Sequence, residues 1–335
     1  MPQKIKSLPK FQIGSDIEYL FIRRGEPIHA SSAVAAEYHG NVGYDHGGKV
    51  GEIRAAPSSD NNIEIHIKNI ESTIRTIVEG GRLREGVEIN ASHKQSYPPC
   101  GGHIHFSIKS SNEIEKCLYN LNYWLALTVQ PLFPKQVFLT RVKSSDYGLL
   151  SNHRTQPHGF EYRTLPSFLF DKEITQGIIA LAYAIVQLTL INQLKIRKEA
   201  HDLEWIEKVN HWYYNYNTWK LKDIREQNIR TILKKGQLGG LLKYIYPLFE
   251  AIKENRKYSG DIAEGWKMDY NYYVFNSGDQ NQYPTIYADA TESQNIQFPP
   301  VVPRPSAVPS IQRAQSIRTD SRPGTTESSQ TTSNW

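Results

Sequence analysis

The sequence predicts an α+β fold built on an antiparallel or mixed sheet, and three observations carry that expectation. Four short segments read polar, apolar, polar in the period of a strand: Asp16-Ile17-Glu18, Glu52-Ile53-Arg54, His103-Ile104-His105 and Glu161-Tyr162-Arg163. Long helical patterns separate them, without the strict strand–helix alternation of a doubly wound parallel sheet. No internal repeat is present, and 335 residues suffice for one large core or two small ones.

In chain order, residues 11–23 alternate well enough to form a strand. Residues 61–79 place Ile63, Ile67, Ile70, Ile74 and Ile77 at three- and four-residue intervals, which predicts an amphipathic helix ending at Gly80-Gly81. A second helix is expected over 113–129, stopping before Pro131, and a third, apolar one over 171–198. Further helical stretches follow between 201 and 254. From Thr291 onward Ser, Thr, Pro and Gln dominate without hydrophobic period, so residues 291–335 read as a disordered tail and 1–290 as one compact domain.

The formal net charge is +5 with no clustered basic stripe, which argues against a nucleic-acid partner and suits anionic substrates. Two cysteines, Cys100 and Cys117, exclude a disulfide framework and fit a reducing compartment. The first ten residues carry lysines without a following apolar stretch, so no signal peptide is expected. The greasiest segment, 177–186, falls short of the ~20 apolar residues that span a bilayer. A cytoplasmic protein with no membrane partner is the expectation.

Residues i and i+2 of a strand share a face. The four polar pairs therefore give one sheet a face of carboxylates, imidazoles and guanidiniums, and an opposite apolar face for the helices. Crowded carboxylates repel unless cations sit between them, and hard divalent ions suit such donors. Taken singly, a D-x-E or E-x-R pair is more often a solvated sheet face than a site, and an H-x-H pair often sits in a polar core without binding anything. Glycines beside all four pairs (Gly14, Gly51, Gly101-Gly102, Gly159) permit close backbone approach and favour a site.

The order G-S-D-I-E, D-H-G-G-K-V-G-E-I-R-A-A-P-S, G-G-H-I-H-F-S and G-F-E-Y-R-T-L-P-S, over residues 14–167, resembles the carboxylate–amine ligases (amidoligases). These belong with glutamine synthetase and glutamate–cysteine ligase, and the likeness is to the phage-associated type-2 branch. The resemblance implies the curved, mainly antiparallel glutamine-synthetase sheet with helices on its outer face. It implies metal ligation by Asp16, Glu18, Asp45, Glu52, His103 and Glu161, with Asp16 standing where better-known ligases have Glu. It further implies phosphate contact by Arg163, and by Arg154 in the stretch before the last strand. Arg54, Arg141 and Lys49 are further nucleotide-facing candidates, as is His105, to which the family pattern assigns no role. Arginine fits such tasks because its planar fork binds paired oxygens and stays charged.

The implied activity is an ATP-dependent ligase forming an amide between a carboxylate, from an amino acid or peptide side chain, and an amine through an acyl phosphate. Roughly two or three Mg2+ ions, with Mn2+ as the alternative, would serve it. A phosphotransferase on the same scaffold and a non-catalytic binding protein are the rival expectations. The aromatic runs at 211–219 and 270–274 read as core packing. Cys100 reads as inert without a base beside it.

Overall fold

The computed structural model describes residues 8–34, 41–58, 62–91, 97–134, 137, 141, 148–196, 229–231, 233–234 and 238–273. The tail expected at 291–335 and the aromatic run at 211–219 lie outside these residues. Ten strands are described: β1 (Ile13–Arg23), β2 (Glu26–Ile28), β3 (Val42–Asp45), β4 (Val50–Ala55), β5 (Leu83–Arg84), β6 (Val87–Asn90), β7 (Gly102–Phe106), β8 (His153–Gln156), β9 (Gly159–Tyr162) and β10 (Tyr272–Tyr273). The main sheet runs β3-β4-β1-β7-β9-β8 and every pair in it is antiparallel. The fold is α+β, with this sheet curled into a half-barrel.

β1 is the spine of the sheet. Its first half pairs with β4 and β7, and its second half with β2 and β6, so one strand belongs to two differently directed ladders. Ile13, Ile17, Tyr19 and Phe21 point into the main core and are fully buried. On the other face, Asp16 and Glu18 give way to Leu20 and Ile22. These two close a small second apolar cluster with Val50, Tyr97 and Cys100. The polar site is thus walled at one end by its own strand.

Helices Ile63–Val78, Ser111–Asn120, Lys172–Leu190 and Leu242–Glu254 cover the apolar face. The isoleucines at 63, 67, 70, 74 and 77 are all buried, as their spacing predicts. Asp171 starts the apolar helix by accepting from the Ile174 amide at 3.0 Å. That helix is long and apolar enough to cross a membrane, yet 83% of its most apolar window is buried inside the protein.

Two helix expectations need correction. The stretch expected as one α-helix over 113–129 becomes a π-helix at Leu121–Ala126, before a last α-helical turn at Leu127–Val129. The helix expected to reach 198 stops at Leu190, because Asn192 takes a left-handed conformation at φ 55°. Of the aromatic run at 270–274, Tyr270 and Tyr272 stack at 5.5 Å against the core, and Tyr272–Tyr273 forms β10 beside β5.

Candidate active site

Strand register assembles the site. Glu18 lies opposite Glu52, and Asp16 stands between Arg54 on β4 and His103 on β7. His105 lies opposite Glu161, which in turn faces Arg154 on β8. The four sequence pairs therefore converge on one concave face, and Gly43 of β3 faces Glu52 at its edge. A side chain at Gly43 would collide with the Arg54 guanidinium, so that glycine keeps the space in which the guanidinium lies. Gly159 has φ 152°, and a Cβ there would run into the Phe106 carbonyl; its absence lets β9 close against β7.

Two groups of potential ligands share Asp16: one with His105 and Glu161, the other with Glu52 and His103. Within each group the ligand atoms lie within 4.8 Å of one another. Glu18, Glu52, His103 and Glu161 are buried, and Asp16 and His105 nearly so. Burial first, then the charges of Glu52 and Glu161, raise Asp16 to about 8. Burial likewise raises Glu18 to about 7, although the Gly101 amide and the Arg141 guanidinium pull the other way. Burial and the surrounding guanidiniums hold His103 far below the usual imidazole range, and burial takes His105 to about 4. Both imidazoles are accordingly neutral, the form that ligates metal.

The guanidiniums divide by position. Arg154 donates from Nε to Glu161 Oε2 at 2.7 Å, and Arg163 Nε stands 3.1 Å from Oε1. His103 Nδ1 lies 3.3 Å from the same Oε1. Arg54 donates from Nε to Glu52 Oε2 at 2.6 Å at the other end of the row. Arg141 is fully buried beneath the face and donates to the carbonyls of Cys100 (2.6 Å) and Arg163 (3.1 Å). It braces the backbone on which Arg163 stands. Asp45 is half-buried on edge strand β3 outside the two ligand groups, and Lys49 is exposed in the turn between β3 and β4.

Arg154 belongs to a strand, β8, and His153–Gln156 carries no apolar alternation by which to recognise one. Two further residues join the site. Gln156 Nε2 donates to Glu161 Oε2 at 3.0 Å, one strand step from Arg154. His158 Nε2 meets His105 Nδ1 at 3.1 Å, while His105 Nε2 bonds the Asp16 carboxylate. The i, i+2 spacing of Arg154 and Gln156 was the available signal; for His158, in the turn between β8 and β9, there was none.

Crowded buried carboxylates with neutral imidazoles form a donor set for a hard divalent ion. Asp16, Glu52, His103, His105 and Glu161 are the residues that fit one.

The fold and the sequence each have counterparts among known proteins. A bifunctional glutathione synthetase from Pasteurella multocida has a similar fold, at TM-score 0.50 and 9% identity over 77% of this chain. The chain spans about half of that protein, 50% of its length. A structure described as apo GmaS without ligand matches at TM-score 0.37 and 13% identity, over 73% of this chain and 70% of that one. No curated protein sequence matches. The family model for phage phiEco32-like COOH.NH2 ligase, type 2, matches residues 13–268, which contain every strand of the site. The chain belongs to that family of carboxylate–amine ligases.

Proposed function

We propose that the protein is an ATP- and Mg2+-dependent ligase that joins a carboxylate to an amine through an acyl phosphate. The observation that carries this reading is the pair of three-ligand groups sharing Asp16, with two guanidiniums on Glu161 beside them. A site of that composition suits a polyphosphate accompanied by divalent metal, and the family is one of C–N ligases.

When bound, Mg2+ neutralises phosphate charge and polarises the phosphoryl oxygens. Asp16, Glu52, His103 and Glu161 would hold it. Arg154 and Arg163 bind the oxygens of the transferring phosphoryl group in pairs and fix its direction. A carboxylate oxygen of the substrate attacks the γ-phosphorus and ADP leaves with its electron pair. The amine nitrogen then attacks the acyl carbon, phosphate leaves, and the amine proton passes to water.

The test is phosphate release from ATP with a panel of carboxylates, with and without amine. A ligase releases phosphate in proportion to the amide formed. A phosphorylated product that accumulates without amine would make the protein a phosphotransferase, and no nucleotide binding at all would leave a binding protein.

A further inference from the structure

Beside the ligand groups, a cleft of about 390 Å3 opens between the start of β1 and the end of β4. Asp16, His105 and Arg54 line it beside the ligand groups. Gly14, Ala55 and Pro57 give it apolar surface, and Gln12, Ser15, Ser107 and His158 complete its described lining. Resting on the ligase reading above, we propose that this cleft is the subsite for the organic acid, and that it selects monocarboxylates with a short, uncharged body.

Three observations converge on that assignment. First, the cleft is a poor place for a nucleotide. Among its described lining residues there is no Phe, Tyr or Trp to stack a base, and Arg54 is the one permanent cation. The guanidiniums that suit a triphosphate, Arg154 and Arg163, gather instead at Glu161. Second, the cleft is a poor place for an ammonium group. The carboxylate that lines it is Asp16, and His105 already engages that group. Third, the cleft suits one carboxylate. Arg54 spends Nε and one terminal nitrogen on Glu52, and its guanidinium has further N–H donors. Behind that anchor Gly14, Ala55 and Pro57 offer apolar surface to the body of the acid, and among the described lining residues no second permanent cation is present to pair with a second carboxylate.

Gly14 sets the depth. It shares the face of Asp16, opposite His105, and a Cβ there would sit 3.5 Å from Pro57 Cβ and 3.8 Å from His105 Cβ. Those are ordinary contacts, so Gly14→Ala fits the strand, and Gly14→Val adds methyls that project into the cleft.

The experiment uses the full chain, hydroxylamine as the amine, and straight-chain acids from acetate to hexanoate alongside succinate and glutarate. Hydroxamate formation reads turnover. The thermal midpoint with Mg2+ and a non-hydrolysable ATP analogue, before and after adding each acid, reads binding. Monocarboxylates are expected to form hydroxamate and raise the midpoint, and the dicarboxylates to do neither. Gly14→Val is expected to lower kcat/KM for hexanoate against acetate by about 10-fold or more, the scale of a lost methylene site. Its midpoint shift with nucleotide should match the wild type. Gly14→Ala should change selectivity in the same direction by less, which keeps the test alive if the valine variant fails to fold.

Loss of the nucleotide shift in Gly14→Val would give the cleft to ATP. Unchanged acid selectivity in both variants would remove the subsite. A nucleotide shift in the wild type with no response to any monocarboxylate would overturn the substrate class while leaving the ligase reading intact. No nucleotide shift in the wild type would overturn the ligase reading and this subsite with it.

Discussion

Glu52 and Glu161 stand on the same sheet face, but their surroundings give them different parts in stability. Glu52 is paired with a half-exposed Arg54 that water can solvate, and it presses its charge on Asp16. Glu52→Gln is therefore expected to weaken Mg2+ binding while leaving the metal-free protein as stable or up to ~1 kcal/mol more so. Glu161 is fully buried among Arg154, Arg163 and His103. Removing its charge strands guanidiniums inside the fold, and Glu161→Gln should cost about 3–5 kcal/mol. Urea unfolding without metal separates the two; equal midpoints would contradict this division of roles. Arg163 permits a sharper test. Its amide donates to Asn152 and its carbonyl accepts from Arg141, so its backbone is pinned on both sides. Arg163→Lys keeps the charge and loses the fork, and turnover should fall about 10²–10³-fold with ATP affinity little changed. A raised KM for ATP with kcat intact would make Arg163 a ground-state anchor instead. These pairs were legible because a strand period of two is strict. Gln156 shares the i, i+2 spacing of Arg154 but lies in a segment that nothing marks as a strand, and the contact of His158 with His105 exists only across strands.

Between strand and helix, His66 shows what an amphipathic pattern leaves out. The helix Ile63–Val78 was evident from its isoleucines, and His66 reads there as one more polar residue. It is instead fully buried, with Nδ1 donating to the Ala56 carbonyl at 2.9 Å and Nε2 accepting from the Ser15 hydroxyl at 3.0 Å. It ties the helix to β1 directly behind Asp16. Burial lowers its pKa to about 4 from an ordinary 6.5. The folded state therefore holds the proton less tightly than the unfolded one. The contribution of His66 is fully present above pH 6.5 and is lost as pH falls through 6.5 toward 4, by up to about 3 kcal/mol. His66→Gln should remove that slope, so the stability gap between wild type and variant narrows on acidification. A gap constant from pH 7 to pH 4.5 in chemical denaturation would mean that His66 does not titrate on unfolding. Strand β8 was missed at the same scale, because an edge strand that buries little carries no apolar alternation.

At the scale of the whole molecule, composition and pattern identified an α+β sheet with one polar face. They did not reveal how far the sheet curls, since β1 reads as one strand whether it serves one ladder or two. Residues 291–335 carry too little apolar surface to add to a core, so ending the chain at Ala290 should leave the thermal midpoint and turnover as they were. A fall of several degrees would refute that boundary.

The charge of the site gives the molecule its main expected dependence on metal. Asp16 and Glu18 have pKa values raised by burial to about 8 and about 7, from 3.8 and 4.5. A carboxyl with a raised folded-state pKa stabilises the fold fully below its unfolded value, and that contribution is lost as pH climbs through the folded value. These two carboxyls should therefore take stability from the metal-free protein between about pH 4.5 and pH 8, while the lowered pKa values of His66, His103 and His105 act in the opposite sense below pH 6.5 and leave the loss exposed between pH 6.5 and pH 8. A divalent ion reverses this, because it binds the ionised carboxylates and expels their protons. The rise in thermal midpoint on adding Mg2+ should accordingly grow from pH 6 to pH 8.5, with proton release measurable by calorimetry in buffers of different ionisation enthalpy. Glu52→Gln relieves Asp16 of a neighbouring charge and should move the growth of the Mg2+ effect to lower pH, even as it reduces its size. An Mg2+ effect that is flat with pH, and released no protons, would mean that these carboxyls are already ionised without metal. The buried face would then owe its compensation to the guanidiniums alone.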